Sequence, residues 1–231
     1  MPLTEFRQPL GIELCRWAFK PVFRGLFRVL ARVRVTGLEN VPSHGPYVIA
    51  INHISLYDPP LALAFWPAMA EAVGAADVFR KKFQGPLLRL YGIIPVHREA
   101  YDRRLLDTVF AILRAGRPLL IAPEGGRSHA TGMRRAMPGV GYVFERALVP
   151  VLPVGIFGTT ADFWQRARRG ERPLLQMRVG QPVAFPPLTG IGADRRVRRQ
   201  QDADLVMRHI AGLLPAEYHG VYAGQAIYQP P

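Results

Sequence analysis

The chain has 231 residues, 49% of them apolar, which is enough for one sizeable α/β domain whose core needs no disulfide staples. A single cysteine, Cys15, excludes an internal disulfide and a thiolate cage within one chain, and six scattered histidines show no HExxH or Cys/His ligand spacing, so no metal or other cofactor is expected. The 30 Lys+Arg exceed the 17 Asp+Glu, leaving a formal charge of +13 that calls for an anionic partner: nucleic acid, an acidic membrane or a phosphorylated substrate.

The first residues, MPLTEFRQPL, lack the basic start, apolar run and cleavage site of a secretion signal. No stretch reaches the roughly 18 consecutive apolar residues of a membrane-spanning helix. The chain is therefore expected in the cytosol or on a membrane from its cytosolic side. From Leu10 to Val33 the sequence is rich in Trp17, Phe19, Val22, Phe23, Leu26, Phe27, Val29 and Leu30, while Arg16, Lys20, Arg24, Arg28 and Arg32 recur at every fourth position. On a helix this makes a basic stripe beside an apolar face. Pro21 predicts a kink or a division into two helices. Like charges at i,i+4 repel, and an anionic surface would relieve them. The pattern suits a helix packed on the domain with a solvated basic side and also a helix lying in a membrane interface, and the two are compatible. Residues 1–34 are read as an amphipathic membrane-associating segment, and 35–231 as the α/β domain.

Residues 32–36 alternate as a short strand, turns follow through Pro46, and the apolar run 47–51 reads as a buried strand. Pro59 and Pro60 suit the first turn of a helix running towards Trp66. Strands are expected at 92–97 and 118–122, with an amphipathic helix over 103–115 that turns Leu105, Leu106, Val109, Phe110 and Leu113 inward. A helix near 139–147 leads to a buried strand over 149–157. Residues 173–187 read as short strands punctuated by prolines, 194–214 as a final helix, and the tail from Pro215 as loop. This alternation predicts an α/β fold, with a largely parallel mixed sheet flanked by helices and preceded by the N-terminal amphipathic segment.

Two polar clusters follow buried strands. Asn52-His53-Ile54-Ser55-Leu56-Tyr57-Asp58 sits after the run 47–51, and Pro123-Glu124-Gly125-Gly126-Arg127-Ser128 after 119–122. An imidazole with a carboxylate on its other nitrogen deprotonates a hydroxyl near neutral pH, so His53 and Asp58 are candidates for base and orienting acid. The plainer reading of the pair is a histidine ending a strand and an aspartate capping a helix. Gly125 and Gly126 leave backbone N–H groups approachable, and Arg127 offers a forked donor for phosphate oxygens; the plainer reading is a tight turn with a solvated arginine. There is no GxSxG elbow and Cys15 lies far off, so no covalent nucleophile presents itself and the base would activate the substrate's own hydroxyl.

These residues resemble the glycerolipid acyltransferase family, specifically its 1-acylglycerol-3-phosphate (lysophosphatidate) acyltransferase members. The block NHxSxxD is matched by Asn52, His53, Ser55 and Asp58, and Gly-x-Ile-Pro-Val-x-Arg by Gly92, Ile94, Pro95, Val96 and Arg98. The block Pro-Glu-Gly-Thr-Arg-Ser is matched by Pro123, Glu124, Gly125, Arg127 and Ser128, with Gly126 in place of threonine, and Val-Pro-Val-x-Pro-Val by Val149 to Val154. The four blocks keep the family's order over roughly residues 35 to 158.

The resemblance implies transfer of a fatty acyl group from acyl-CoA or an acyl carrier protein to the free hydroxyl of a lysophospholipid, 1-acylglycerol-3-phosphate giving phosphatidic acid. It makes His53 the base and Asp58 its partner. Arg98, Glu124, Gly125, Gly126, Arg127 and Ser128 would surround the acceptor's phosphate, a surface ion pair being the alternative for Arg98. It also implies a monotopic protein on an anionic membrane surface, at the cytoplasmic face of the cell membrane. Gly126, His97 and the segment Met133 to Gly139, which lacks a Phe-Lys pair, depart from the family pattern and leave the acceptor less defined than the reaction. A different lysolipid or a non-phosphate acceptor would use the same His/Asp pair, as would a hydrolase in which water is the acceptor. A nucleic-acid binder rests on the charge alone and lacks a zinc finger, an aromatic RNA-binding signature or a basic arm, so no nucleic-acid partner is expected.

Overall fold

The computed structural model describes residues 6–97, 102–128, 130–187 and 192–228. In chain order these form α1 (Leu10–Leu30), β1 (Arg32–Thr36), β2 (Val48–Ile51), α2 (Asp58–Phe65), β3 (Glu71–Ala75), α3 (Gln84–Tyr91), β4 (Ile94–Val96), α4 (Arg103–Arg114), β5 (Leu119–Ile121), α5 (Pro138–Ala147), β6 (Val151–Phe157), α6 (Phe163–Arg168), β7 (Leu174–Val179) and α7 (Ala193–Leu213). The strands join in one sheet of order β1-β7-β6-β2-β5-β3-β4. All neighbours run parallel except β6 and β7. The largely parallel sheet flanked by helices is thus the architecture that the sequence predicts.

Every residue of β2, β5 and β6 is buried, because helices cover both faces of the sheet. On one face Val48, Ala50, Leu119 and Val151 pack with α4, α5 and α7 through Ile112, Phe144, Val206 and Ile210. On the other, Ile49, Leu120, Leu152 and Ile156 pack with α1, α2 and α6 through Phe27, Leu61 and Phe163. Consecutive residues of one strand serve opposite cores, as the period of two requires. Asp102 caps α4 by accepting from the Leu105 N–H at 3.0 Å, and this helix buries Val109, Ile112 and Leu113 with Leu105, Leu106 and Phe110 half-buried beside them.

The structure corrects the reading of the N-terminal segment in two ways. First, α1 runs through Pro21 as one helix. An interior proline costs about 3 kcal/mol, and the packing of both halves of α1 against the domain offsets it. Second, the first part of the basic stripe, Arg16, Lys20 and Arg24, turns inward, while Arg28 and Arg32 stay exposed. Arg16 is fully buried and grips both oxygens of Glu71 at 2.7 and 2.6 Å while its Nε donates to the Tyr91 carbonyl. Lys20 donates to the Ala68 carbonyl and Arg24 to the Ala64 carbonyl at 2.9 and 2.5 Å, so both cations sit at the negative C-terminal end of α2. The repulsion along the stripe is relieved by Glu71 and by backbone oxygens. The side of α1 facing away from the domain instead carries Leu14, Trp17 and Val29, at 70%, 73% and 72% exposure, with Leu10, Val22 and Leu26.

Three elements escape the sequence reading: β3, α3 and α6. The segment Glu71-Ala-Val-Gly-Ala75 has too few large apolar residues to read as a strand, and its burial between β5 and β4 selects small ones. The tail is also more than loop, since Tyr218, His219 and Tyr222 are buried in two short 3₁₀ turns. The Tyr222 hydroxyl donates to Asp204 and accepts the Ala136 N–H, fastening the tail to α7 and to the segment before α5.

Candidate active site

Because β6, β2 and β5 are adjacent and parallel, the segments that leave their C-terminal ends emerge side by side. That edge is where parallel α/β sheets present ligand sites. The segment after β2 carries His53, that after β5 carries Glu124 to Ser128, and that after β6 carries Gly158 and Thr159. The two polar clusters read from the sequence therefore meet.

His53 and Asp58 form a pair, with Nδ1 3.2 Å from Oδ2. Asp58 opens α2 and is fully buried. Its Oδ2 also accepts the backbone N–H groups of Ile54 and Ser55 at 2.8 and 2.7 Å, and its Oδ1 accepts the Thr159 hydroxyl at 2.5 Å. The carboxylate is thus held by neutral donors and by the imidazole, with no arginine or lysine on it among the described residues. The His53 side chain is 17% exposed, so its ring is screened from bulk water without being sealed. Contact of Nδ1 with the carboxylate leaves Nε2 as the nitrogen able to take a proton from a substrate.

Neighbouring segments fix the backbone around His53. Asn52, fully buried, pairs with the main chain of Ile156 through both its amide groups, at 2.8 and 2.7 Å. The His53 N–H donates to Glu124 Oε1 at 2.8 Å, and the His53 carbonyl accepts the Ser128 N–H at 2.8 Å. Glu124 Oε2 accepts the Arg134 N–H at 2.7 Å, so both its oxygens serve the main chain. Burial is the largest influence on Glu124 and pushes its carboxyl up to about 7, against the pull of the two N–H groups. Gly125 has φ +67, and a Cβ there would lie 2.7 Å from Met137 Cγ, so the turn demands glycine. Gly126 is buried beside it. The Ser128 hydroxyl donates to the Gly132 carbonyl at 2.7 Å. The half-buried Arg127 guanidinium has no hydrogen-bond or salt-bridge partner among the described residues.

Arg98 lies outside the described residues. Thr159 is a contact that sequence reasoning missed: a threonine after a strand carries no signal of its own, and its partner lies 101 positions away. Asn52 was legible only as part of a motif. A cavity of about 360 Å³ lined by Pro46, Phe110, Arg114, Arg146 and Val149 lies at the start of β2 and β6, the opposite edge of the sheet from His53.

The chain is similar to proteins of known type. It is 28% identical over 134 residues to the 1-acyl-sn-glycerol-3-phosphate acyltransferase of Borreliella burgdorferi, covering 57% of this chain and 54% of that protein, and so spans about half of that relative's length. With the 1-acyl-sn-glycerol-3-phosphate acyltransferase of Bacillus subtilis it shares 22% identity over 173 residues, 74% of this chain and 83% of the relative. The crystal structure of the 1-acyl-sn-glycerophosphate (LPA) acyltransferase PlsC from Thermotoga maritima superposes with a TM-score of 0.60 at 23% identity, covering 87% of this chain and 79% of that one, a likeness of fold. The Acyltransferase family model matches residues 32–157, which run from β1 to the end of β6 and contain the His53/Asp58 pair and the Glu124 loop; the chain belongs to the acyltransferase family.

Proposed function

We propose that the chain transfers a fatty acyl group from the thioester of acyl-CoA or an acyl carrier protein to the free hydroxyl of 1-acylglycerol-3-phosphate, giving phosphatidic acid. The observation that carries this reading is the His53 Nδ1 to Asp58 Oδ2 contact at the C-terminal sheet edge, beside Arg127, whose guanidinium has no partner among the described residues. His53 Nε2 takes the hydroxyl proton as the oxygen attacks the thioester carbonyl carbon. The tetrahedral intermediate then collapses, the C–S bond breaks, and the thiolate leaves. A thiol pKa near 8.5 makes that departure easy, and the proton held on His53 returns to sulfur. Asp58 keeps Nδ1 protonated and steadies the imidazolium that forms.

Arg127 and Arg98 are assigned to the acceptor's phosphate, which suits a forked guanidinium. The backbone turn of Gly125 and Gly126 lets that headgroup approach. Glu124 and Ser128 serve the same subsite by holding its walls, as their hydrogen bonds to His53, Arg134 and Gly132 support.

The same reading puts the protein on the cytoplasmic face of the cell membrane, where such thioesters are met, with residues 1–34 as the docking segment and 35–231 carrying the chemistry. Support comes from the outward apolar side of α1, Leu10, Leu14, Trp17, Val22, Leu26 and Val29, which suits an interfacial helix. No helix among the described residues is long and apolar enough to cross a membrane. The deciding experiment presents the purified protein in mixed micelles with labelled acyl-CoA or acyl carrier protein and a panel of lysolipids. Labelled phosphatidic acid formed from lysophosphatidate, and lost in His53→Ala, is the expected result. Preference for a phosphate-free lysolipid, or release of free fatty acid without any acceptor, overturns the assignment of the acceptor.

A further inference from the structure

The catalytic pair has a third member in the structure. Asp58 Oδ2 is occupied by two backbone N–H groups and by His53, whereas Oδ1 receives one hydrogen bond among the described residues, from the Thr159 hydroxyl at 2.5 Å, with both residues fully buried. Thr159 is placed for this by the end of β6. Gly158 has φ +90, and a Cβ there would stand 2.2 Å from the Leu174 carbonyl, so only glycine turns the chain tightly enough to aim the next side chain across the top of β2. The Gly158 N–H is itself held by the Tyr218 hydroxyl at 3.2 Å, and Asn52 locks the Ile156 main chain to the start of the His53 segment. Two cross-links thus join β6 to the catalytic segment, and one of them ends on the carboxylate.

We propose that Thr159 is a positioning residue of the acyl-transfer site: its hydroxyl fixes the rotation of the Asp58 carboxylate and balances its charge, so that Oδ2 stays aimed at His53 Nδ1. The inference rests on the reading of His53 as the base. A carboxylate held only on one oxygen can tilt about its Cβ–Cγ bond and swing that oxygen off the line to Nδ1, even while the N–H groups of Ile54 and Ser55 stay near it. The Thr159 donor on the far oxygen opposes that tilt. It also draws negative charge away from Oδ2, which tempers the pull of the carboxylate on the imidazolium and lets His53 shed its proton to the leaving sulfur. Among the described residues, the other ionisable groups around the pair are Glu124 beneath the His53 N–H, Arg134 beyond it, Arg127 next to the Ser128 that bonds the His53 carbonyl, and Tyr218 and Asp162 around the β6 turn. None of them occupies Oδ1.

The test compares Thr159→Val, which keeps the shape and removes the hydroxyl, with Thr159→Ser, which restores a donor. Losing a hydrogen bond to a buried charged group predicts a fall in kcat of about ten- to a hundredfold in Thr159→Val. KM for donor and acceptor should be little changed, and Thr159→Ser should recover most of the rate. Stripped of a donor to its charged form, the carboxylate holds the imidazolium more strongly. The acid limb of the kcat profile should accordingly move to higher pH, and the His53 imidazole resonances followed by NMR, which need no substrate, should titrate at higher pH as well. In His53→Ala, adding Thr159→Val should cost nothing further, since the two act through one another. Wild-type kcat and an unmoved His53 titration in a folded Thr159→Val overturn the proposal. So does an equal further loss in the His53→Ala background, and so does failure of Thr159→Ser to restore the rate. An active His53→Ala protein would strike the assignment of the base instead, and the NMR titration would still report whether Thr159 governs the pair.

Discussion

The central sheet buries carboxylates at both ends and partners them differently. At the N-terminal edge Glu71, fully buried, meets Arg16 on both oxygens, and Arg117 Nε stands 2.8 Å from it while Nη2 of Arg117 reaches Glu13 at 2.6 Å. At the C-terminal edge Asp58 and Glu124 are held by backbone N–H groups, a hydroxyl and one imidazole. A charge neutralised by guanidinium groups fastens α1 to the sheet but has little field left to act on a reacting group. A charge steadied by neutral dipoles, as on Asp58, remains a charge, and it can hold a protonated histidine.

That contrast is open to attack, and the largest effect belongs to the catalytic edge. His53→Ala should lower kcat by about 10² to 10⁴-fold, the usual contribution of a general base. Its thermal midpoint should stay close to wild type; a matching collapse in stability would make the residue structural. At the opposite edge Glu71→Ala should behave the other way round. It strands two guanidinium groups, and breaking a buried pair costs about 3–5 kcal/mol, so denaturant titration should show a large loss while kcat per folded molecule changes little. If Glu71→Ala instead removes activity without removing stability, the division between the two ends fails.

Glu124 sharpens the comparison through pH. Its carboxyl is raised from 4.5 to about 7, chiefly by burial. A raised value means that the folded protein binds the proton more tightly than the unfolded chain. The stability this confers is fully present below about 4.5 and is lost as pH rises through about 7. Wild type should therefore lose melting temperature relative to Glu124→Gln as pH rises over that interval, and a difference flat with pH would show that burial does not set the carboxyl's behaviour. The smallest effect concerns α1. With Arg16, Lys20 and Arg24 engaged inside the protein, vesicle binding should depend on the apolar side. Trp17→Ser should weaken flotation with zwitterionic vesicles by about tenfold, on the scale of one exposed aromatic side chain, and raising the salt concentration should change it far less. Strong salt dependence would return the basic stripe to the membrane.

How much of this was legible follows from the range of the contacts. The α4 pattern was readable because Leu105, Leu106, Val109, Phe110 and Leu113 recur at helical spacing within one short segment, whereas Ile112 and the Asp102 cap came from the structure. The parallel arrangement was readable from the alternation of strands and helices, and His53 with Asp58 from two residues on one segment. The face that α1 turns to the domain was not. The period of its basic residues is the same whether they point to water or to Glu71, and Glu71 lies 55 positions from Arg16 in a stretch too small-sided to announce a strand. Glu124 was recognised as part of the site, but its engagement with the His53 N–H spans 71 positions and involves a backbone group that every residue carries.

By itself, then, the sequence determined the class of fold, most of its elements and the two polar clusters that meet at one sheet edge, because hydrophobic period, turn residues and motif spacing are properties of neighbouring positions. Only the tertiary structure decided which way α1 faces, which groups hold each buried carboxylate, and that Thr159 closes on Asp58. Those outcomes depend on which strands lie side by side and on the need of every buried polar group for a partner, and neither is encoded at any single place along the chain.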